Sequence, residues 1–207
     1  MPPALDDLIA RIRTLAGLRV MVALIGPPGA GKSTLAEVLA ARLDHAEVVG
    51  QDGFHYDDAI LTARGLRPRK GAPETFDTAG LAAMLARLKR AEGDVAIPVF
   101  DRDLELSRGS ARIIPAATRI LIVEGNYLLL TRPGWSDLHP LFDLTVALDI
   151  DRATLHDRLT RRWQRAALPD AEIRRRVDAN DLPNGDVVRA ESRAADVILR
   201  EDQIGRI

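Results

Sequence analysis

Val20-Met21-Val22-Ala23-Leu24-Ile25-Gly26-Pro27-Pro28-Gly29-Ala30-Gly31-Lys32-Ser33-Thr34 is the stretch on which the reading of this chain turns. Its first six residues form a continuous apolar run of the kind a fully buried parallel strand needs, because such a strand meets apolar layers on both faces. At Gly26 the run breaks into a Gly/Pro turn that satisfies G-x-x-x-x-G-K-[ST] at every fixed position, and helical sequence follows from Lys32 to Leu43. Glycines let backbone N–H groups converge on phosphate oxygens, and a helix N-terminus directly behind them adds a favourable dipole. Gly26, Gly29, Ala30 and Gly31 are therefore expected to cradle the phosphates of ATP, with Lys32 reaching the β- and γ-phosphates. Ser33 is expected to ligate Mg²⁺, and Thr34 to meet the α-phosphate. A dinucleotide-binding turn is the nearest confusion. The loop lacks G-x-G-x-x-G and carries Lys32, so that reading fails.

Outward from this stretch, apolar spacing alternates between strand and helix. Leu5, Leu8, Ile9, Ile12 and Leu15 share a helical face before it. Strands are expected at 46–50, 95–100, 120–123 and 144–148, and a last one at 197–199. Leu81, Met84, Leu85 and Leu88 give a helix, and basic helices follow from about Ala153 and Pro169. Residues 57–77, rich in Gly, Pro, Arg and Lys, read as a surface loop expected to close over the substrate, and 101–118 as a polar excursion or short hairpin. The pattern predicts one domain over 1–207: a three-layer α/β/α sandwich with a mainly parallel sheet and a helical lid at 153–180.

Bulk properties fit that picture. The 207 residues are 46% hydrophobic and 29% charged, enough for a self-sufficient core, and contain no cysteine, which excludes disulfides and thiolate chemistry. A formal net charge of -1 offers no field for nucleic acid or an acidic membrane. Met1 to Gly17 has no basic start followed by an apolar stretch, so no secretory signal is expected, and no run is long enough to span a membrane. The cytoplasm is the expected compartment. Asp77-Thr78-Ala79-Gly80 imitates the D-x-x-G motif of GTP switches, but it follows a polar loop and no N-K-x-D exists in the chain. A helix N-cap at Asp77 or Thr78 explains it better.

Gln51-Asp52-Gly53-Phe54-His55-Tyr56, Gly71-Ala72-Pro73-Glu74-Thr75-Phe76-Asp77, Pro98-Val99-Phe100-Asp101 and Val123-Glu124-Gly125 follow the phosphate loop in an order that resembles one kinase superfamily. It is that of uridine kinase, phosphoribulokinase and bacterial pantothenate kinase. Within it the chain is similar to small bacterial proteins described as fructose transport system kinases, over about Leu5 to Leu199. The resemblance implies a P-loop fold, ATP and Mg²⁺ as cofactors, and transfer of the γ-phosphate to a hydroxyl of a small molecule. Asp52, at a strand end where open α/β sheets bind ligands, matches the family's catalytic base. Glu124 matches its acidic strand-end residue on the metal side, beside Ser33.

Arg158, Arg162 and Arg165 share one face of the basic helix, where forked guanidiniums suit phosphate oxygens. By resemblance to the lid helix of uridine kinases, Arg162 and Arg165 match the arginines that contact phosphate. His55, Tyr56, Phe76, Asp77, Asp101 and Arg102 occupy motifs that line the acceptor pocket in relatives. Asn180 and Asn184, near Arg189 and Arg193, resemble the pantothenate kinase pattern bordering adenine; a Pro-Asn turn is the plain alternative. The acceptor expected is a sugar such as fructose, with a nucleoside or pantothenate as the alternative, and a homodimer is left open. An ATP-binding regulatory module without catalysis would not need Asp52, Glu124 and the arginines together.

Overall fold

The computed structural model describes residues 3–204. Helix α1 (Pro3–Thr14) precedes β1 (Val20–Ile25), and α2 (Lys32–Arg42) leads into β2 (Ala46–Gly50). Next come α3 (Asp58–Ala63), α4 (Thr78–Arg90), the pair β3 (Val95–Asp101) and β4 (Leu106–Ile114), then β5 (Ile120–Gly125) and β6 (Leu144–Asp149). The chain ends on α5 (Arg152–Arg165), α6 (Asp170–Arg176), α7 (Leu182–Glu191), β7 (Val197–Arg200) and α8 (Glu201–Ile204). A parallel sheet in the order β2-β5-β1-β6-β7 forms the middle layer.

β1 lies at the centre of that sheet and shows why its run had to be apolar throughout. Val20, Val22 and Leu24 join one core with Leu5, Leu8, Ile9 and Ile12 of α1 and Leu35 and Leu39 of α2. Met21, Ala23 and Ile25 join the other, with Leu81, Leu85 and Leu88 of α4. Burying each such side chain contributes about 1.5–3 kcal/mol, which is what holds the three layers together. Arg19, 3% exposed, enters β1 with its guanidinium donating to the carbonyls of Leu88, Pro115, Ala116 and Thr118, so the end of α4 is tied to the turn before β5. Nothing in a lone arginine before a strand announces this.

Two readings change, and the short hairpin expected in 101–118 is present. The 57–77 segment is not all loop: Asp57 caps α3, accepting from Ala59 N at 2.8 Å. The helix is short and buries only Leu61 among its six residues, so it leaves little apolar period to read. The 101–118 excursion contains a nine-residue strand, β4, which with β3 makes a separate antiparallel sheet. Asn180 to Asn184 is not a turn. Val177–Asp181 winds as a π-helix that joins α6 to α7, and Pro183 lies just beyond it in the first turn of α7. Among the described residues no helix is long and apolar enough to cross a membrane.

Candidate active site

The parallel strands β1, β2 and β5 direct their C-terminal ends at one cleft of about 550 Å³. Behind β1 the loop turns through Gly29 (φ 81°) and Gly31 (φ 92°), a left-handed backbone that a side chain would strain. Lys32, 8% exposed, donates from Nζ to the Pro27 carbonyl at 3.0 Å. Loss of water pushes its ammonium below the ordinary lysine range, while Glu124 and Asp52 pull it back. Glu124 stands near the end of β5, and its Oε1 accepts from Ser33 Oγ at 3.1 Å. Burial pushes the Glu124 carboxyl up and the charge of Asp52 adds to this, against Lys32 and Ser33.

Beyond β2 the chain folds into a 3₁₀ turn, Gln51–Phe54, which presents Asp52 to the cleft. Gln51 is fully buried and anchors that turn, its Oε1 accepting from Tyr127 N at 2.9 Å. Gly53 packs so closely on β3 that a Cβ would lie 2.6 Å from the Pro98 carbonyl oxygen. Arg102 Nη2 lies 3.5 Å from Asp52 Oδ2, a half-exposed pair of small energetic weight. His55 Nδ1 is 2.8 Å from the Asp52 carbonyl oxygen. A carbonyl only accepts, so Nδ1 carries the hydrogen. Burial pushes the His55 pKa down, which keeps the ring neutral and leaves Nε2 as an acceptor. The ring stacks 4.0 Å from Phe76 and 4.9 Å from Phe100, giving this end of the cleft an aromatic wall.

Opposite the loop, α5 turns Arg158, Arg162 and Arg165 to the cleft, while Arg161 points away and pairs with Asp157 at 3.0 Å. Loss of water, then repulsion from Arg102, push the Arg162 guanidinium below the ordinary arginine range. Ser33 and Glu124 offer hard oxygens suited to Mg²⁺. Among the described residues no group of three or more carboxylate or imidazole side chains could cage a metal alone, so other ligands would come from phosphate and water. A buried cation, an adjacent hydroxyl–carboxylate pair and a second carboxylate in one cleft are the parts needed to hold a polyphosphate and deprotonate a neighbour.

No family model matches the chain. A solved structure from Silicibacter sp. TM1040, described as a "putative fructose transport system kinase", superposes with a TM-score of 0.89 at 40% identity, covering 96% of this chain and 99% of that one. A Schizosaccharomyces pombe protein named "Putative uridine kinase" is 32% identical over 197 residues, which are 88% of this chain and 83% of its own. The chain belongs to the P-loop kinases of the uridine kinase, pantothenate kinase and phosphoribulokinase group. The pantothenate kinase of Myxococcus xanthus, 34% identical over 158 residues, is matched over 47% of its own length, so this P-loop kinase spans about half of it. Its named relatives are phosphotransferases with hydroxyl acceptors, and so is this kinase.

The kinase brings together Gly29, Gly31, Lys32, Ser33, Thr34, Asp52, His55, Phe76, Arg102, Glu124, Arg162 and Arg165 along the cleft. Three residues expected in the acceptor pocket lie outside its lining. Asp101 folds back on the hairpin turn, where Oδ1 accepts from Asp103 N and Leu104 N and Oδ2 from Arg108. Asp77 caps α4, accepting from Gly80 N at 2.9 Å, which is the N-cap alternative. The Tyr56 ring lies under the Arg64 guanidinium. Asn180 and Asn184 line the cleft and are also bonded within the protein. Asn180 Nδ2 donates to the Lys70 carbonyl at 2.9 Å and Asn184 Nδ2 to Asn180 Oδ1 at 3.3 Å, so both amides brace the 57–77 segment at Lys70. Sequence reasoning missed Phe100, Glu105, Trp163, Arg175, Arg176 and Asp181 in the lining. Phe100 lay inside the quoted motif Pro98-Val99-Phe100-Asp101, and the basic run Arg174-Arg175-Arg176 was the other signal.

Proposed function

We propose that this kinase passes the γ-phosphate of Mg·ATP to a hydroxyl of a sugar or similar small polyol in the cytoplasm. The observation that supports this most is the convergence of buried Lys32, the Ser33–Glu124 pair and Asp52 on one cleft under the arginines of α5. Gly26, Gly29, Ala30, Gly31, Lys32 and Thr34 hold the phosphates, and Ser33 and Glu124 hold Mg²⁺, which when bound offsets charge on the phosphate oxygens. Asp52 accepts the acceptor's hydroxyl proton. The acceptor oxygen bonds to the γ-phosphorus as the bond to the β,γ-bridging oxygen breaks, and ADP leaves with that electron pair. Arg162 and Arg165 meet the charge that spreads over the transferring group. His55 Nε2 and Arg102 bind the acceptor.

One observation favours a second reading. His55, Phe76 and Phe100 gather into a wall despite the low aromatic content, and a planar acceptor such as a nucleoside would stack there. The test is ADP release from Mg·ATP with fructose, other sugars, uridine and pantothenate offered one at a time. Stimulation by one acceptor is expected, lowered by roughly 10²–10⁴-fold in Asp52→Asn with binding of a non-hydrolysable ATP analogue retained. Unchanged turnover in that variant would remove Asp52 from its role. Analogue binding without stimulation by any acceptor would favour a regulatory module.

A further inference from the structure

Between α6 and α7 the helix does not stop; it widens into the π segment Val177–Asp181. Such widening is rare and concentrates at functional sites, because the looser turn re-aims side chains. Here it sends two neighbouring residues to two different walls of the cleft. Asp181, itself in the lining, accepts from Trp163 Nε1 of α5 at 2.8 Å. The guanidinium carbons of Arg162 and Arg176 stand 5.2 Å and 4.6 Å from the centre of that Trp163 ring. Glu172 in turn holds Arg176, with Oε1 2.9 Å from its Nε. Asn180, one residue earlier, donates to the Lys70 carbonyl at 2.9 Å. The next carbonyl, that of Gly71, accepts from Tyr127 Oη at 2.7 Å, so this stretch of the acceptor loop is pinned from both sides. Lys70 reaches Asp58 with its own ammonium, at 2.7 Å, which extends the tie to α3.

We propose that the π segment is a two-sided brace coupling nucleotide to acceptor. Asp181 holds the Trp163 ring and through it sets Arg162, while Asn180 holds the backbone at Lys70–Gly71. Phosphate that draws Arg162 into place thus orders the acceptor loop, and the loop is set only when the arginine helix is set. Asp181, Trp163 and Asn180 are positioning residues. The inference rests on the reading of this cleft as a kinase site that binds ATP, and it adds a reason for the second substrate to find its pocket formed after the first.

The experiment needs no acceptor. Amide hydrogen exchange is followed by mass spectrometry on the full chain, with and without Mg²⁺ and a non-hydrolysable ATP analogue. In the wild type, analogue should slow exchange in both 26–34 and 66–75. Trp163→Phe deletes the N–H and keeps an aromatic ring, though a smaller one; it and Asn180→Ala should keep the slowing at 26–34 and lose it at 66–75. Asp181→Ala should do the same, and Asp181→Asn, whose amide oxygen still accepts, should restore it. Should Asp181→Ala fail to fold, the Trp163 and Asn180 variants carry the test. Slowing at 66–75 that survives in those variants, or that is missing from the wild type while 26–34 responds, overturns the brace. No response at 26–34 in the wild type would instead sink the nucleotide reading, and the brace with it.

Discussion

At one end of the cleft, Lys32, Ser33 and Glu124 stand at or beyond the ends of strands whose two faces are buried; at the other, side chains come from turns and a hairpin. Lys32 and Glu124 follow β1 and end β5, two adjacent strands in register from Val20 opposite Ile120 to Ile25 opposite Gly125. His55, Phe76, Lys70 and Arg102 come from segments whose order depends on tertiary contacts: the bridge between His55 and Phe76, the Gly53–Pro98 approach, the Asn180–Lys70 bond. The first end is rigid because the core makes it so. The second is set by polar contacts and close fits that can change without unfolding the sheet.

The largest expected effect attacks the rigid end. Lys32→Ala should lower both analogue affinity and phosphoryl transfer, the latter by roughly 10²–10³-fold, because a preorganised cation in a dry site is worth far more than one in water. Melting should barely change, since burial penalises the Lys32 charge in the first place. A variant with full transfer would break the assignment of the phosphate end.

A smaller effect sharpens the contrast. Gly53→Ala forces a Cβ against the Pro98 carbonyl, and the hairpin must move. A loss of roughly 1–3 kcal/mol in stability is expected from denaturant titration. The sharper readout is a raised KM for the acceptor with an unchanged Kd for the ATP analogue. Equal damage to both constants would mean that moving the hairpin also disturbs the nucleotide site.

The smallest effect is a pH dependence. The folded pKa of His55 lies below its ordinary 6.5, so the unfolded chain takes up a proton there that the folded one resists. The His55 contribution is therefore fully present above 6.5 and is lost as pH falls through the lowered folded value. Between about pH 8 and pH 5 the wild type should lose more Tm than His55→Gln. Identical slopes would show that the ring is not held neutral by its aromatic neighbours.

The same contrast explains what the amino-acid sequence disclosed. Val20–Ile25 and the loop after it are local patterns whose meaning does not depend on distant partners, and the strands at Ile120 and Leu144 read equally well because burial on both faces leaves an unbroken apolar run. Asp52 was legible as a carboxylate at a strand end. Asp101 sits in the same kind of position, yet its oxygens are spent on Asp103, Leu104 and Arg108, and only three-dimensional contacts tell the two apart. The Trp163–Asp181 and Asn180–Lys70 bonds join residues 18 and 110 positions apart, and no periodicity encodes them. Arg19 was invisible for the same reason: its partners are carbonyls, which every residue has.

The β3–β4 hairpin shares no strand ladder with the parallel sheet. It is attached by side-chain packing of Val95, Ile97 and Ile114 and by the Ser107–Gly53 hydrogen bond, while it carries Phe100 and Arg102 to the cleft. An exchange of this hairpin between paralogues would leave every strand of the main sheet in register. In hereditary terms, it is a cassette: this one ribbon, with Phe100 and Arg102, can drift or be transplanted while the loop after β1 is passed on intact.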